Sequence, residues 1–310
     1  MRKQLFLFCV AMGLVLASSA PAAQAPALTV TLLGTGDPTP RIDRFGPATL
    51  VRAGGHALLF DAGRGVLQRL RQSGVSSGEL DGIFLTHLHS DHVVGLVDLW
   101  LGGWVVDGRE APLVVYGPPG TRAMMANLRQ AFDYDIGVRI AEAGRSPAGI
   151  EVRVVEIEPG EVWARDGVTV RAFEVDHRPV EPAYGFRIDH GGHAVALSGD
   201  TRPSKSLERN AAGVDLLVHE VAEASEAFKA AHPHLPRLQH HTQAKEAGRV
   251  FAVVRPKLAV FTHLVLVDGF PADGLAALAR QTYDGDVMVG EDLMSFDVGD
   301  TVQVRRPGAR

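Results

Sequence analysis

Six consecutive residues, His87-Leu88-His89-Ser90-Asp91-His92, put three imidazoles and one carboxylate into a single short stretch of chain. Neutral imidazole and carboxylate are the donors that hold zinc where no thiolate is used. His87 and His89, two apart, can face one side of a tight loop, while Asp91 and His92 turn back at the start of a following helix. A pair of cations in such a site lowers the pKa of a shared water toward about 7, which is hydrolytic chemistry. A solvated polar loop with coincident histidines is the competing reading, and it leaves four ligand-type groups in six positions unexplained.

The surrounding pattern supplies what would hold such a loop. Asp81-Gly-Ile-Phe-Leu-Thr86 is an apolar strand run that ends at the histidines, and a helix is expected from about Asp91 through Trp104. Alternating or β-branched runs predict strands at Leu28–Leu33, Ala48–Arg52, His56–Phe60, Pro112–Tyr116 and Val152–Glu156. Further strands are expected at Val168–Val175, Gly185–Ile188, Ala194–Leu197, Leu216–His219 and Leu258–Phe261, with a closing one around Val287–Phe296. Helices fit Thr121–Phe132, Ala222–Ala231, Thr242–Val254 and Ala272–Tyr283, and a short one follows Asp61-Ala-Gly-Arg-Gly65. Two sheets with helices outside them make an α/β protein, an αββα sandwich, with residues 28–303 forming one domain.

The N-terminus has the composition of an export signal. Arg2 and Lys3 precede an apolar run from Leu5 to Ala17 and small residues from Ser18 to Ala25. Residues 1–22 are therefore expected to be removed, leaving a periplasmic or secreted protein without stable membrane association. The one cysteine, Cys9, lies in that segment, so the mature chain has neither disulfide nor thiolate ligand. Loss of Arg2 and Lys3 takes the net charge from −5 to −7, a poor overall balance for binding a polyanion.

With this motif the sequence resembles the metallo-β-lactamase superfamily, and the resemblance implies further ligands in chain order. They are His177 in Val175-Asp-His-Arg-Pro179, Asp200 in Ser198-Gly-Asp-Thr201 and His263 in Phe261-Thr-His-Leu264, each at the end of an apolar strand. It implies that His87, His89 and His177 take one zinc, Asp91, His92 and His263 the other, and that Asp200 bridges them. Glu220, in the pair His219-Glu220, and His241 become candidates for proton delivery, with Asp91 orienting the nucleophile. Asp61 would support the loop from behind the ligands. Trp100 and Trp104 share a helix face that either packs in the core or stacks an aryl group. His56, His190 and His193 fall at glycine-rich hairpin tips open to solvent, and His232 and His234 in a loop at the pocket lip.

Leu33-Gly-Thr-Gly-Asp-Pro-Thr-Pro40, Phe60-Asp-Ala-Gly-Arg-Gly65, Tyr116-Gly-Pro-Pro-Gly120 and His219-Glu220 resemble the ribonuclease Z-like branch, and within it the arylsulfatase-type members. Ribonuclease Z inserts a long tRNA-binding arm between the positions of His177 and Asp200. Only 23 positions separate those residues here, filled by the hairpin Gly185–Ile188 with Ala194–Leu197. The expectation is thus an exported dinuclear zinc hydrolase of sulfate or phosphate esters, aryl sulfates or small phosphodiesters first, working through a metal-activated hydroxide. Its partner would be a small-molecule ester, with nucleic acid disfavoured and a homodimer allowed; iron or manganese could replace the two zinc ions. The alternatives are a ribonuclease Z-type phosphodiesterase acting on tRNA 3′ ends, a lactonase on the same metal site, or a metal-binding scaffold without turnover.

Overall fold

A computed structural model of the chain describes residues 26–308; the expected export segment, 1–22, and Cys9 lie outside the described residues. The strands, in chain order, are β1 (Leu28–Gly34), β2 (Ala48–Ala53), β3 (His56–Phe60), β4 (Gly82–Phe84), β5 (Leu113–Gly117), β6 (Val152–Glu156), β7 (Gly160–Arg165), β8 (Val168–Glu174), β9 (Tyr184–His190), β10 (His193–Leu197), β11 (Leu216–Glu223), β12 (Leu258–Leu266), β13 (Val287–Val289), β14 (Ser295–Val298) and β15 (Val302–Arg305). One sheet has the order β15-β14-β1-β2-β3-β4-β5-β6, the other β13-β12-β11-β10-β9-β8-β7.

Apolar residues on two faces explain the layers. Val30, Leu32, Val51, Leu58, Phe60 and Phe84 of the first sheet meet Val170, Phe186, Ile188, Leu197, Val218 and Val260 of the second in a continuous core. Phe60, Phe84 and Tyr116 stack in a row at 5.0 and 4.7 Å, each such pair contributing about 0.5–1.5 kcal/mol beyond its buried area. Outside the first sheet pack Leu67, Leu70, Leu96, Leu99, Trp100 and Trp104. Outside the second pack Leu207, Ala247, Val250, Phe251 and Leu275. The result is the αββα sandwich. Trp100 and Trp104 are fully buried, and their indoles donate to Ile150 O (2.8 Å) and Ser146 O (2.9 Å). They are core residues, not an aryl-stacking surface.

Four local departures have physical causes. The helix expected from Ala222 begins only at Glu226, where Ser225 Oγ accepts from Phe228 N. Upstream, Val221–Glu223 extend β11 and pair with Leu264–Leu266 of β12, so sheet pairing overrides the helix preference of alanine. The closing strand is two strands in different sheets: β13 runs parallel to β12, and β14 runs antiparallel to β1. β7 and the helix Asp133–Ala143 were not expected. His56 is not solvated: its nitrogens lie 3.1 Å from Asp81 and 2.9 Å from Asp166, tying the β2–β3 hairpin to the β7–β8 turn of the other sheet.

Parallel pairing of β3 with β4 and of β10, β11 and β12 brings several strand ends to one edge of the sandwich. The polar residues that follow those ends are the ones the sequence singles out.

Candidate metal centre

His87 follows β4, and His89 precedes the short helix Ser90–Val93 that carries Asp91 and His92. His177 follows β8, and Asp200 follows β10 through Gly199. Gly199 has φ +60°, and a Cβ there would sit 2.4 Å from Tyr184 O. Only glycine makes that turn without strain and a clash. His263 lies within β12, where the ladder passes from Glu220↔Thr262 to Val221↔Leu264. It is the extra residue of a β-bulge, with φ +44°. A bulge re-aims one side chain out of the strand alternation, which is how a mid-strand histidine reaches the sheet edge.

These elements bring the candidates together in two groups that share a carboxylate. One atom each of His87, His89, His177 and Asp200 lies within 4.8 Å of the others, and the same holds for Asp91, His92 and His263. Asp200 Oδ2 faces Nε2 of His92 (3.3 Å), His263 (3.5 Å), His87 (3.9 Å) and His177 (3.9 Å). The opposite ring nitrogens of three of these are tied off. His87 Nδ1 is 3.0 Å from Thr86 Oγ1, His92 Nδ1 is 2.8 Å from Asp61 Oδ2, and His177 Nδ1 donates to His240 O at 3.0 Å. With Nδ1 carrying the proton, each Nε2 keeps its lone pair toward Asp200. Nε2 of His87 and of His92 are buried with no hydrogen-bond partner among the described residues. Buried, unpaired acceptors converging on a carboxylate are costly alone, and they fit a pair of cations between them.

Burial and neighbouring charges favour the ligand forms of His87, His89, His177, Asp91 and Asp200, but the protonated forms of His92 and His263, whose protons a cation would have to displace. Burial pushes the His87, His89 and His177 imidazoles below the ordinary histidine value, keeping them neutral. Burial alone would favour the acid form of Asp200, but the His263 and His92 charges hold it well below the usual carboxylate range. For Asp91 burial is likewise outweighed, by the hydrogen bond from His263 and the His92 charge, and it falls to about 2. His92 and His263 move up against burial because Asp200 faces both, with Asp61 beside His92 and Asp91 beside His263.

His241 Nδ1 lies 3.1 Å from Glu220 Oε2 at the margin of the cluster, and an atom of His241 falls within 4.8 Å of Asp200 and His263. Burial opposes its charge, but Glu220 and Asp200 raise it to about 9. Glu220 is fixed in turn: its Oε1 accepts from Thr242 N (2.8 Å) and its own N donates to Ser198 Oγ (3.0 Å). The neighbouring His240 meets His177 through its carbonyl, which accepts from Nδ1, and edge-on through its ring at 6.4 Å. Sequence reading missed Thr86, whose hydroxyl links Asp61 to His87. Its place directly before the motif is the signal that could have found it.

Residues 56–264 match the model of the beta-lactamase superfamily domain. The chain is 42% identical over 275 residues to ribonuclease Z of Mycobacterium bovis (strain BCG / Pasteur 1173P2), covering 87% of this chain and 98% of that protein. It is 40% identical over 280 residues to ribonuclease Z of Mycolicibacterium gilvum (strain PYR-GCK), covering 87% and 96%. Among solved structures, the short form of human tRNase Z superposes with a TM-score of 0.66 at 23% identity, covering 87% of this chain and 99% of that one. The metallo-β-lactamase fold protein YhfI from Bacillus subtilis gives 0.68 at 22%, covering 86% and 98%.

Two expectations fall to the mycobacterial relatives. The aryl-sulfate or small-ester hydrolase gives way to its ribonuclease Z alternative, and no arylsulfatase stands among these relatives. The short interval between His177 and Asp200 was over-read: a ribonuclease Z covered to 98% of its length has no arm-sized segment that this chain lacks. Nucleic acid as a disfavoured partner falls with it, because net charge is a sum over the molecule and does not set the potential at one groove. The chain belongs to the metallo-β-lactamase superfamily, in its ribonuclease Z-like branch.

Proposed function

We propose that the chain is a zinc-dependent phosphodiesterase of ribonuclease Z type that cuts precursor tRNA near its 3′ end. One observation of the site carries the chemistry: four imidazole Nε2 atoms surround Asp200 Oδ2 at 3.3–3.9 Å. The substrate class comes from the ribonuclease Z relatives. In this reading His87, His89 and His177 would hold one cation and Asp91, His92 and His263 the other, with Asp200 available to both. Bound cations supply Lewis acidity, lowering the pKa of water and offsetting charge on phosphoryl oxygens. An imidazole-rich, sulfur-free set suits zinc and also admits iron or manganese.

The chain's own residues do the rest. Asp61 and Thr86 lock the tautomers of His92 and His87. Glu220 holds His241 by Nδ1, leaving the other ring nitrogen to give a proton to the departing oxygen as the phosphorus–oxygen bond breaks. Zinc-loaded protein should shorten a precursor tRNA carrying a 3′ trailer, and chelation should stop it. Protein that hydrolyses bis(p-nitrophenyl) phosphate but leaves the RNA intact would refute the reading.

Location is a separate proposal: Arg2, Lys3 and the apolar run Leu5–Ala17 support export directed by residues 1–22. N-terminal sequencing of protein from periplasmic and cytoplasmic fractions tests it, an uncleaved cytoplasmic chain counting against it.

A further inference from the structure

We propose that a cavity sharing His241 with the metal centre is a leaving-group subsite that takes a single nucleoside. This rests on the ribonuclease reading above. The cavity measures about 280 Å³ and is walled by His241 together with Arg202, Lys229, Leu238, Gln239 and Gln243. His241 thus has two neighbourhoods, Asp200 and His263 on one side and this cavity on another. A group whose oxygen takes the His241 proton is adjacent to the cavity when it leaves.

The walls indicate what that group is. Both cations are already paired: Arg202 with Asp176 at 2.9 Å, and Lys229 with Glu223 at 2.5 Å and Glu226 at 2.9 Å. The cavity is therefore no bare phosphate clamp. It offers the side-chain amides of Gln239 and Gln243 beside the apolar surfaces of Leu238 and Pro203. Gln239 spends its NH2 on Pro233 O at 3.1 Å, which leaves its carbonyl oxygen free to accept. Hydrogen-bonding amides next to flat apolar surface match a nucleobase, which has a polar edge and apolar faces. The volume lies just under the range of about 300–1,000 Å³ for pockets that enclose drug-sized ligands. One nucleoside fits that size; a duplex does not.

The test uses the metal-loaded full chain and bis(p-nitrophenyl) phosphate as reporter, with free adenosine and uridine as probes. Each nucleoside should inhibit competitively, and Gln239→Trp, which fills the cavity from an exposed position, should weaken that inhibition at least tenfold. The same variant should raise KM for an RNA substrate at least tenfold while kcat holds within threefold. Absence of inhibition by either nucleoside at millimolar concentration, or an inhibition constant unchanged in Gln239→Trp, overturns the subsite. Nucleoside inhibition that Gln239→Trp weakens, with RNA left uncut by the wild type, supports the subsite and sinks only the ribonuclease reading.

Discussion

Asp61→Asn isolates the tautomer argument better than removal of any ligand. The Asp61 carboxylate accepts from Thr86 N (2.9 Å), Thr86 Oγ1 (2.9 Å to Oδ2) and His92 Nδ1 (2.8 Å), and is buried with φ +58°. Asparagine keeps the size and tolerates the left-handed backbone, but it replaces one acceptor oxygen with a donor. If the NH2 faces His92, the imidazole must shift its proton to Nε2 to accept from it. The lone pair directed at Asp200 is then lost. Altering such a support costs about 10–100-fold in metal affinity, or about 1.4–2.7 kcal/mol. The fold loses about 1–3 kcal/mol for one mismatched buried hydrogen bond. Chelator-competition titration of both cation sites, with a thermal melt in excess chelator, separates the two effects. One site should weaken by that factor, and the other, whose His87 is reached from Asp61 only through Thr86, by distinctly less. Equal weakening of both sites, or no weakening beyond the stability change, would refute the tautomer reasoning.

Purified protein should hold close to two cations per chain by elemental analysis, and exhaustive chelation should abolish phosphodiester hydrolysis, with recovery on adding zinc. Gly199→Ala should cut hydrolysis at least hundredfold and lower stability by about 2–4 kcal/mol, since the φ of +60° and the 2.4 Å approach to Tyr184 O both oppose a Cβ; steady-state kinetics and denaturant melts check the pair. His241→Ala should impair an RNA substrate far more than an aryl phosphodiester whose leaving group needs no proton; an equal loss on both would make His241 a binding residue. For His56, burial opposes protonation while Asp166 and Asp81 favour it, so its pKa is raised in the folded state. Its stabilisation is therefore complete below the unfolded histidine value of about 6.5 and is lost as pH rises through the higher folded value. Because its partner Asp166 is largely exposed and the pair is screened by solvent, the effect of His56→Gln should be about 0.5 kcal/mol, larger at pH 5.5 than at pH 9 by paired thermal melts.

The His/Asp cluster was legible because its members are local: His87 to His92 occupy one loop, and His177, Asp200 and His263 each follow or end an apolar run that any strand rule detects. The supports were less so. Thr86 looks like the tail of a strand until Asp61, 25 positions earlier, is seen bonded to it. β7 could have been found, since Asp166-Gly167 is a hairpin turn signal between it and β8. The split of Val287–Phe296 could not, because Gly290 N bonds Phe261 O in one sheet and Leu293 N bonds Leu32 O in the other, a handover written in tertiary contacts alone. The substrate was misread for a related reason. Ligand types fix the reaction class, whereas an interval of 23 residues between two of them says little about what the rest of the surface grips.

The bulge at His263 also changes where the next amide goes. Leu264 N donates across the sandwich to Thr35 O at 2.9 Å, in the loop after β1. A hydrogen bond that an unbulged strand would spend within its own sheet here stitches one sheet to the other, beside the cluster. Breathing motions that slide the sheets apart must break that stitch and pull on His263 in the same movement. Exchange of the Leu264 amide with solvent and disassembly of the cluster are then a single opening event, and the slowness of the first is a clock for the second.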